Sequence, residues 1–234
     1  MFSWNLFCKS PWHLFASQWV FGRHTQIPDF MKPRFRVVAL VACACARRLL
    51  PFLWNDTRAR VLIEACERHA DGTKRDAPNL WKELLAARRA LVSLAIEALQ
   101  EPGYRRHYAV MAVEYAAHGK ASHVSGIFTF APLALRGQQL TPGVTEMAAQ
   151  LAIVRDIFGN PFRPVTFSPS WRTDTAVSLA RGMYESREFS AMPILADSLQ
   201  DAGCDNDDVL NHCRDPQQVH VRGCWVVDLV LGKA

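Results

Sequence analysis

The chain has 234 residues, half of them apolar and 21% charged, a balance that excludes a disordered or fibrous polymer and leaves ample material for a buried core. Its formal net charge of +5 is uneven, with 17 Lys/Arg against 10 Asp/Glu in residues 1–117 and 10 against 12 in residues 118–234. That asymmetry would suit an acidic surface, but no dense basic stripe or nucleic-acid module accompanies it, so nucleic acid is the disfavoured partner.

The seven cysteines, Cys8, Cys43, Cys45, Cys66, Cys204, Cys213 and Cys224, lie mostly in apolar contexts rather than at the spacings of a secreted disulfide scaffold. They read as reduced thiols of a cytoplasmic protein. The start Met1-Phe-Ser-Trp lacks a basic opening and a continuous apolar core, so it does not read as a secretory signal. The longest apolar run, Val37 to Ala46, is far short of the roughly 20 residues that span a bilayer and is expected to be a buried helix.

In chain order, Ser10-Pro11 opens a short amphipathic helix with Trp12, Phe15, Ala16 and Trp19 on one face and Gly22 at its end. A second helix runs through Val37, Leu40, Val41 and Ala44 towards Pro51. Asp56 or Thr57 caps a third, with Leu62, Cys66 and His69 on one face and Asp71-Gly72 at its close. Asp76-Ala77-Pro78 opens the most regular helix, whose Leu80, Leu84, Ala87, Leu91, Leu94 and Ala98 form a packing seam. A fifth carries Tyr104, Tyr108, Met111 and Tyr115 as its apolar line. Periodicity then fades from Lys120 to Gly143, which reads as a linker or ordered loop. Thr141-Pro142 starts a helix with Val144, Met147, Leu151, Val154 and Phe158 inward, stopped by Gly159-Asn160-Pro161. Asp174 caps the next, through Val177, Ala180 and Tyr184. Ile194, Leu195 and Leu199 mark another, Asp205 to Cys213 a short one, and Cys224–Leu231 a buried helix or strand. The expectation is an all-α or mainly α protein, an irregular multi-helix bundle with room for two subdomains. Its divisions are an aromatic N-terminal extension (1–31), an N-terminal helical region (32–119), a linker or ordered loop (120–140) and a C-terminal helical region (141–234).

The densest chemistry is C-terminal, where Cys204, His212, Cys213, His220 and Cys224 are candidate zinc ligands. Against zinc, no C-x2-C or H-x3-H pair is present, and neighbouring His212 and Cys213 on a helix diverge by about 100°, so they cannot both face one ion. Cys224, His220 and Asp228 could build a nucleophilic thiol site, although Trp225-Val226-Val227 buries the cysteine and nothing adjacent supplies an oxyanion hole. Cys43, Cys45, Cys66 and His69 are a further four-donor set, with Cys-x-Cys on a helix diverging by about 200°. Arg155, Asp156 and Arg163, around Gly159-Asn160-Pro161, are candidates for a polar patch or for the closing of a helix end. No phosphate-binding, dinucleotide-binding, zincin or serine-hydrolase motif occurs.

The stretches Leu40-Val-Ala-Cys-Ala-Cys-Ala-Arg-Arg48, Glu67-Arg-His-Ala-Asp-Gly72, Arg155-Asp-Ile-Phe-Gly-Asn-Pro-Phe-Arg-Pro164, Met192-Pro-Ile-Leu-Ala-Asp-Ser-Leu-Gln-Asp-Ala-Gly-Cys204 and His220-Val-Arg-Gly-Cys-Trp-Val-Val-Asp-Leu-Val-Leu-Gly232 resemble a large paralogous family of uncharacterised bacterial proteins. The resemblance runs from about residue 32 to the end. It implies no activity, cofactor or partner, and residues 1–31 depart from the family's usual start. The residues themselves lead to a helical protein acting through contacts with a protein partner, with no cofactor expected. The alternative is a metal-dependent or thiol enzyme on the C-terminal Cys/His cluster, and the third reading is binding of nucleic acid or an acidic surface by the basic half.

Overall fold

The computed structural model describes residues 35–73, 75–117, 121–135, 146–160 and 163–233, the side chains of Phe35 and of residues 121–125 excepted. Among the described residues there are ten α-helices and no strand, the all-α architecture expected. The expected aromatic helix of residues 10–22 lies outside them. No helix of the described residues is long and apolar enough to cross a membrane. The described residues divide into two compact units, those up to Leu151 forming one and those from Ala152 the other.

In the first unit, α1 (Phe35–Arg47) is buried on all sides from Val38 to Ala46, as its unbroken apolar run requires. It sits among α2 (Thr57–Asp71), α4 (Arg105–Ala116) and α5 (Ala121–Ala134). α2 is capped by Asp56, whose carboxylate accepts the Arg58 amide at 2.8 Å. Arg47 binds the buried Glu67 through two bonds of 2.7 and 3.0 Å, tying α1 to α2. The seam of α3 (Ala77–Leu99) is buried at Leu84, Ala87, Leu91, Leu94 and Ala98, as its spacing predicts, while Leu80 at its start is half-buried.

Two expectations of helix periodicity fail here. The segment 120–140, expected to be a linker or loop, contains α5 over residues 121–134, packed against α4. Its periodicity is hard to see because its exposed positions, Thr129 and Leu133, carry no charge to mark a polar face. Gly126 lets the Tyr115 ring of α4 lie where a β-carbon would otherwise stand, and Tyr115 and Tyr108 pack on Phe130. Accordingly α4 buries its small residues Ala109, Ala112, Val113 and Ala116 rather than its tyrosines, since close helix approach favours small side chains. The division between units falls after Leu151, inside α6 (Glu146–Phe158), and not at 120–140.

The second unit continues α6 and adds α7 (Asp174–Ser186), α8 (Met192–Asp201), α9 (Asp207–Arg214) and α10 (Trp225–Leu231). Its core joins Trp171, Ala180, Met183, Tyr184, Leu195, Leu199, Val209, Cys213, Cys224, Val227 and Val230. Thr173, not Asp174, caps α7 by accepting the Ala176 amide, and Asn206 caps α9 by accepting the Val209 amide. Arg172 closes the other end of α10, donating to the carbonyls of Val230 and Leu229 at 2.9 and 2.8 Å. The inward face of α6 is Ala149, Gln150, Ile153, Val154, Asp156 and Ile157, whereas Met147 is exposed and Leu151 and Phe158 are half-buried. Apolarity alone misplaces this face because it carries two polar residues, and one of them begins the site.

Candidate metal centre

Asp156 projects from the inward face of α6 with none of its surface exposed. His212 comes from α9, whose neighbouring Val209, Leu210 and Cys213 face the core. His220 and Cys224 come from the turn before α10. There Gly223 adopts φ 95°, a conformation that favours glycine, and the Cys224 amide donates to the Val221 carbonyl at 2.9 Å. That turn brings residues four apart to one side without a helix. Cys224 then serves as the N-terminal flanking residue of α10.

The four side chains converge. His220 Nδ1 lies 3.0 Å and His212 Nε2 3.2 Å from the same Asp156 oxygen, Oδ1. Cys224 Sγ lies 3.3 Å from His212 Nε2 and 3.9 Å from His220 Nδ1. All four donor atoms fall within 4.8 Å of one another. Asp156 Oδ2 is occupied separately, accepting the Val221 amide at 2.8 Å, which fixes the carboxylate and leaves Oδ1 turned to the cluster. Trp225 packs on His212 and Phe189 on His220, with ring centroids 5.1 and 6.2 Å apart, forming an apolar wall. Gly159, at φ 61°, passes beneath Trp225 so closely that a β-carbon would meet its Cγ at 3.0 Å.

Each imidazole presents one and the same nitrogen to both the thiol and the carboxylate. A Cys-His-Asp catalytic relay needs the opposite arrangement, the thiol on one ring nitrogen and the carboxylate on the other. Donors aimed at a common point are instead the arrangement of ligands about an ion. Zn–N and Zn–O distances of about 2.0–2.2 Å and Zn–S of about 2.3 Å give a tetrahedron with edges of roughly 3.3–3.6 Å. Four of the six separations, at 3.0–3.9 Å, bracket that range, and all six are within 4.8 Å. His220 Nε2, fully buried, has no hydrogen-bond partner among the described residues, so that ring's polar contacts run through Nδ1. Burial first, and then the Asp156 charge, push the Cys224 thiol well above its usual range.

Of the sequence candidates, His212, His220 and Cys224 meet in this cluster. Cys204 and Cys213 do not, and belong to the apolar core, where burial pushes the Cys213 thiol up to about 12. The helical divergence of His212 and Cys213 therefore separates one member of the cluster from one core residue. Asp228 is also absent from the cluster, and the nucleophilic set Cys224, His220 and Asp228 is not assembled, the carboxylate at that place being Asp156. The expected patch of Arg155, Asp156 and Arg163 does not form either. Asp156 is turned wholly inward, while Arg163 is largely exposed and reaches Asp208 at 3.2 Å. Cys43 and Cys66 donate to the carbonyls of Ile63 and Ala116, and no second group of suitable ligands occurs among the described residues, so Cys43, Cys45, Cys66 and His69 do not form a centre. The member of the cluster that sequence spacing does not group with the others is Asp156, whose one signal is an aspartate at an inward position between Ile153, Val154 and Ile157.

Comparison with family models, curated proteins and solved structures finds no match for this chain.

Proposed function

We propose that this chain is a metal-binding helical protein that acts through protein contacts, with one zinc ion held by Asp156, His212, His220 and Cys224 as a structural cross-link. The observation that carries the reading is the shared orientation of the two imidazoles, each aiming one nitrogen at the point that the thiol and carboxylate also face. Two supports are independent of it. Asp156 and a Cys224 thiolate would neutralise a divalent cation in a buried site, where an uncompensated carboxylate is costly. One sulfur and two imidazoles also suit zinc over magnesium or calcium, which take oxygen ligands.

Four protein ligands close the coordination sphere, which favours a structural over a catalytic ion. Contacts with a protein partner are supported by α3, where Val92, Ile96 and Leu99 are all at least half exposed at helical spacing on one face. Binding of nucleic acid is disfavoured by the pairing of Arg36, Arg47, Arg48, Arg58 and Arg88 with carboxylates of the same unit. Buried unpaired thiols at Cys43, Cys45, Cys66, Cys204, Cys213 and Cys224 fit a reducing, cytoplasmic setting. The stretches that carry the resemblance to a bacterial paralogous family include Asp156, His220 and Cys224, so the proposal extends to proteins that share them.

Elemental analysis of the protein purified without chelator tests this. The expected result is close to one equivalent of zinc, lost in Asp156→Ala and in Cys224→Ser. A chain that holds no transition metal after incubation with zinc would refute it.

A further inference from the structure

We infer that ion binding and folding of the second unit are a single equilibrium, and that the first unit stands outside it. The inference rests on the metal reading above and concerns what the ion does. The donors come from three separate pieces of chain: the end of α6, α9, and the turn that enters α10. Asp156 and His220 are 64 residues apart, so an ion joining them closes a long loop, the case in which a cross-link removes most freedom from the unfolded chain.

The segment between α9 and α10, Asp215 to Gly223, has no helix of its own. Its turns are local, with the Gln217 amide donating to the Asp215 carboxylate and the Gln218 amide to the Asp215 carbonyl. Gln217 and Val219 face solvent. Its attachment to α6 is through Asp156, which takes both the Val221 amide and the His220 ring. The same carboxylate oxygen also meets His212. One side chain of α6 thus gathers α9 and the connecting segment that leads into α10, and the ion would replace the contacts of Asp156 Oδ1 with His212 and His220 by coordinate bonds while the Val221 amide bond to Oδ2 stays. The first unit contains none of the four donors, and its helices are tied by their own pairs, Arg47 to Glu67 and Arg58 to Glu97 among them.

The test is hydrogen exchange by mass spectrometry on the full chain, zinc-loaded and after chelation, with bound zinc measured in the same samples. Peptides over α9 and α10, residues 207–231, are expected to lose protection by about a hundredfold to a thousandfold on chelation, the factor set by zinc in that excess over its dissociation constant. Peptides over α1 to α4, residues 35–116, are expected to be unchanged. Returning zinc should restore protection in wild type and in Cys213→Ser but not in Cys224→Ser. One equivalent of zinc bound with equal protection in both forms would overturn this inference and leave the metal reading standing. Loss of protection throughout both units would overturn the confinement to the second. Absence of bound zinc would overturn both the inference and the reading beneath it.

Discussion

Cys213 and Cys224 offer a matched pair of perturbations. Both are buried, at 1% and 0% exposure, both thiols are pushed up by burial, and both line the same core. Replacing either with serine buries a hydroxyl in place of a thiol, at roughly 1–3 kcal/mol where the new group lacks full hydrogen bonding. Only Cys224 points into the cluster of Asp156, His212 and His220. With zinc in thousandfold excess over its dissociation constant, linkage supplies about 4 kcal/mol to the folded unit, and serine forfeits most of it. Cys224→Ser is therefore expected to be less stable than Cys213→Ser by about 3–4 kcal/mol in excess zinc, and within about 1 kcal/mol of it in chelator. Urea unfolding followed at the fluorine resonance of 5-fluorotryptophan at Trp225 reads the second unit, because that ring lies against His212. Equal losses for the two variants in zinc would refute the reasoning.

Three further outcomes follow from specific contacts. Gly159→Ala should weaken zinc binding tenfold or more, because it demands a left-handed backbone from alanine and drives Trp225 off the site; affinity unchanged in a competition titration would count against that geometry. Asp56 is held below its ordinary value of 3.8, chiefly by the side-chain bond from Arg58, so its contribution is present above about pH 3.8 and is lost as pH falls through the lower, folded value. Arg58→Ala should remove that part of the acid-side slope and about 1 kcal/mol of stability near neutrality, and an unaltered slope in acid unfolding curves would contradict the assignment. Burial raises the thiols of Cys43, Cys45 and Cys213, although the Cys66 hydrogen bond is the largest influence on Cys43, so native protein at pH 8 should resist alkylation at all three. Peptide mapping that finds any of them modified as fast as in urea would show that their units open readily.

Helices with two distinct faces were legible residue by residue, as the seam of Leu84, Leu91 and Leu94 and the cap at Asp56 illustrate. Periodicity failed where the exposed face of a helix carries no charge, as at Thr129 and Leu133 of α5, and where the buried face is polar, as in α6. The site was half legible. His220 and Cys224 are close in sequence and face one another, but through a turn at Gly223 rather than along a helix. His212 and Cys213 are equally close and diverge, because successive residues of α9 point about 100° apart. Asp156 lay beyond reach, since its meeting with His220 depends on how α6 packs against a segment 64 residues later. Local spacing reports such a contact poorly, whereas an aspartate on a helix face otherwise lined with Ile153, Val154 and Ile157 gives a detectable hint.

The most direct measurement of the central claim is the electronic absorption of the full chain loaded with cobalt in place of zinc. One thiolate, two imidazoles and one carboxylate in tetrahedral array predict intense visible ligand-field bands and a single sulfur-to-cobalt charge-transfer band, the latter lost in Cys224→Ser and kept in Cys213→Ser. Weak bands of an octahedral ion, or a spectrum indifferent to Cys224, would contradict the centre of Asp156, His212, His220 and Cys224.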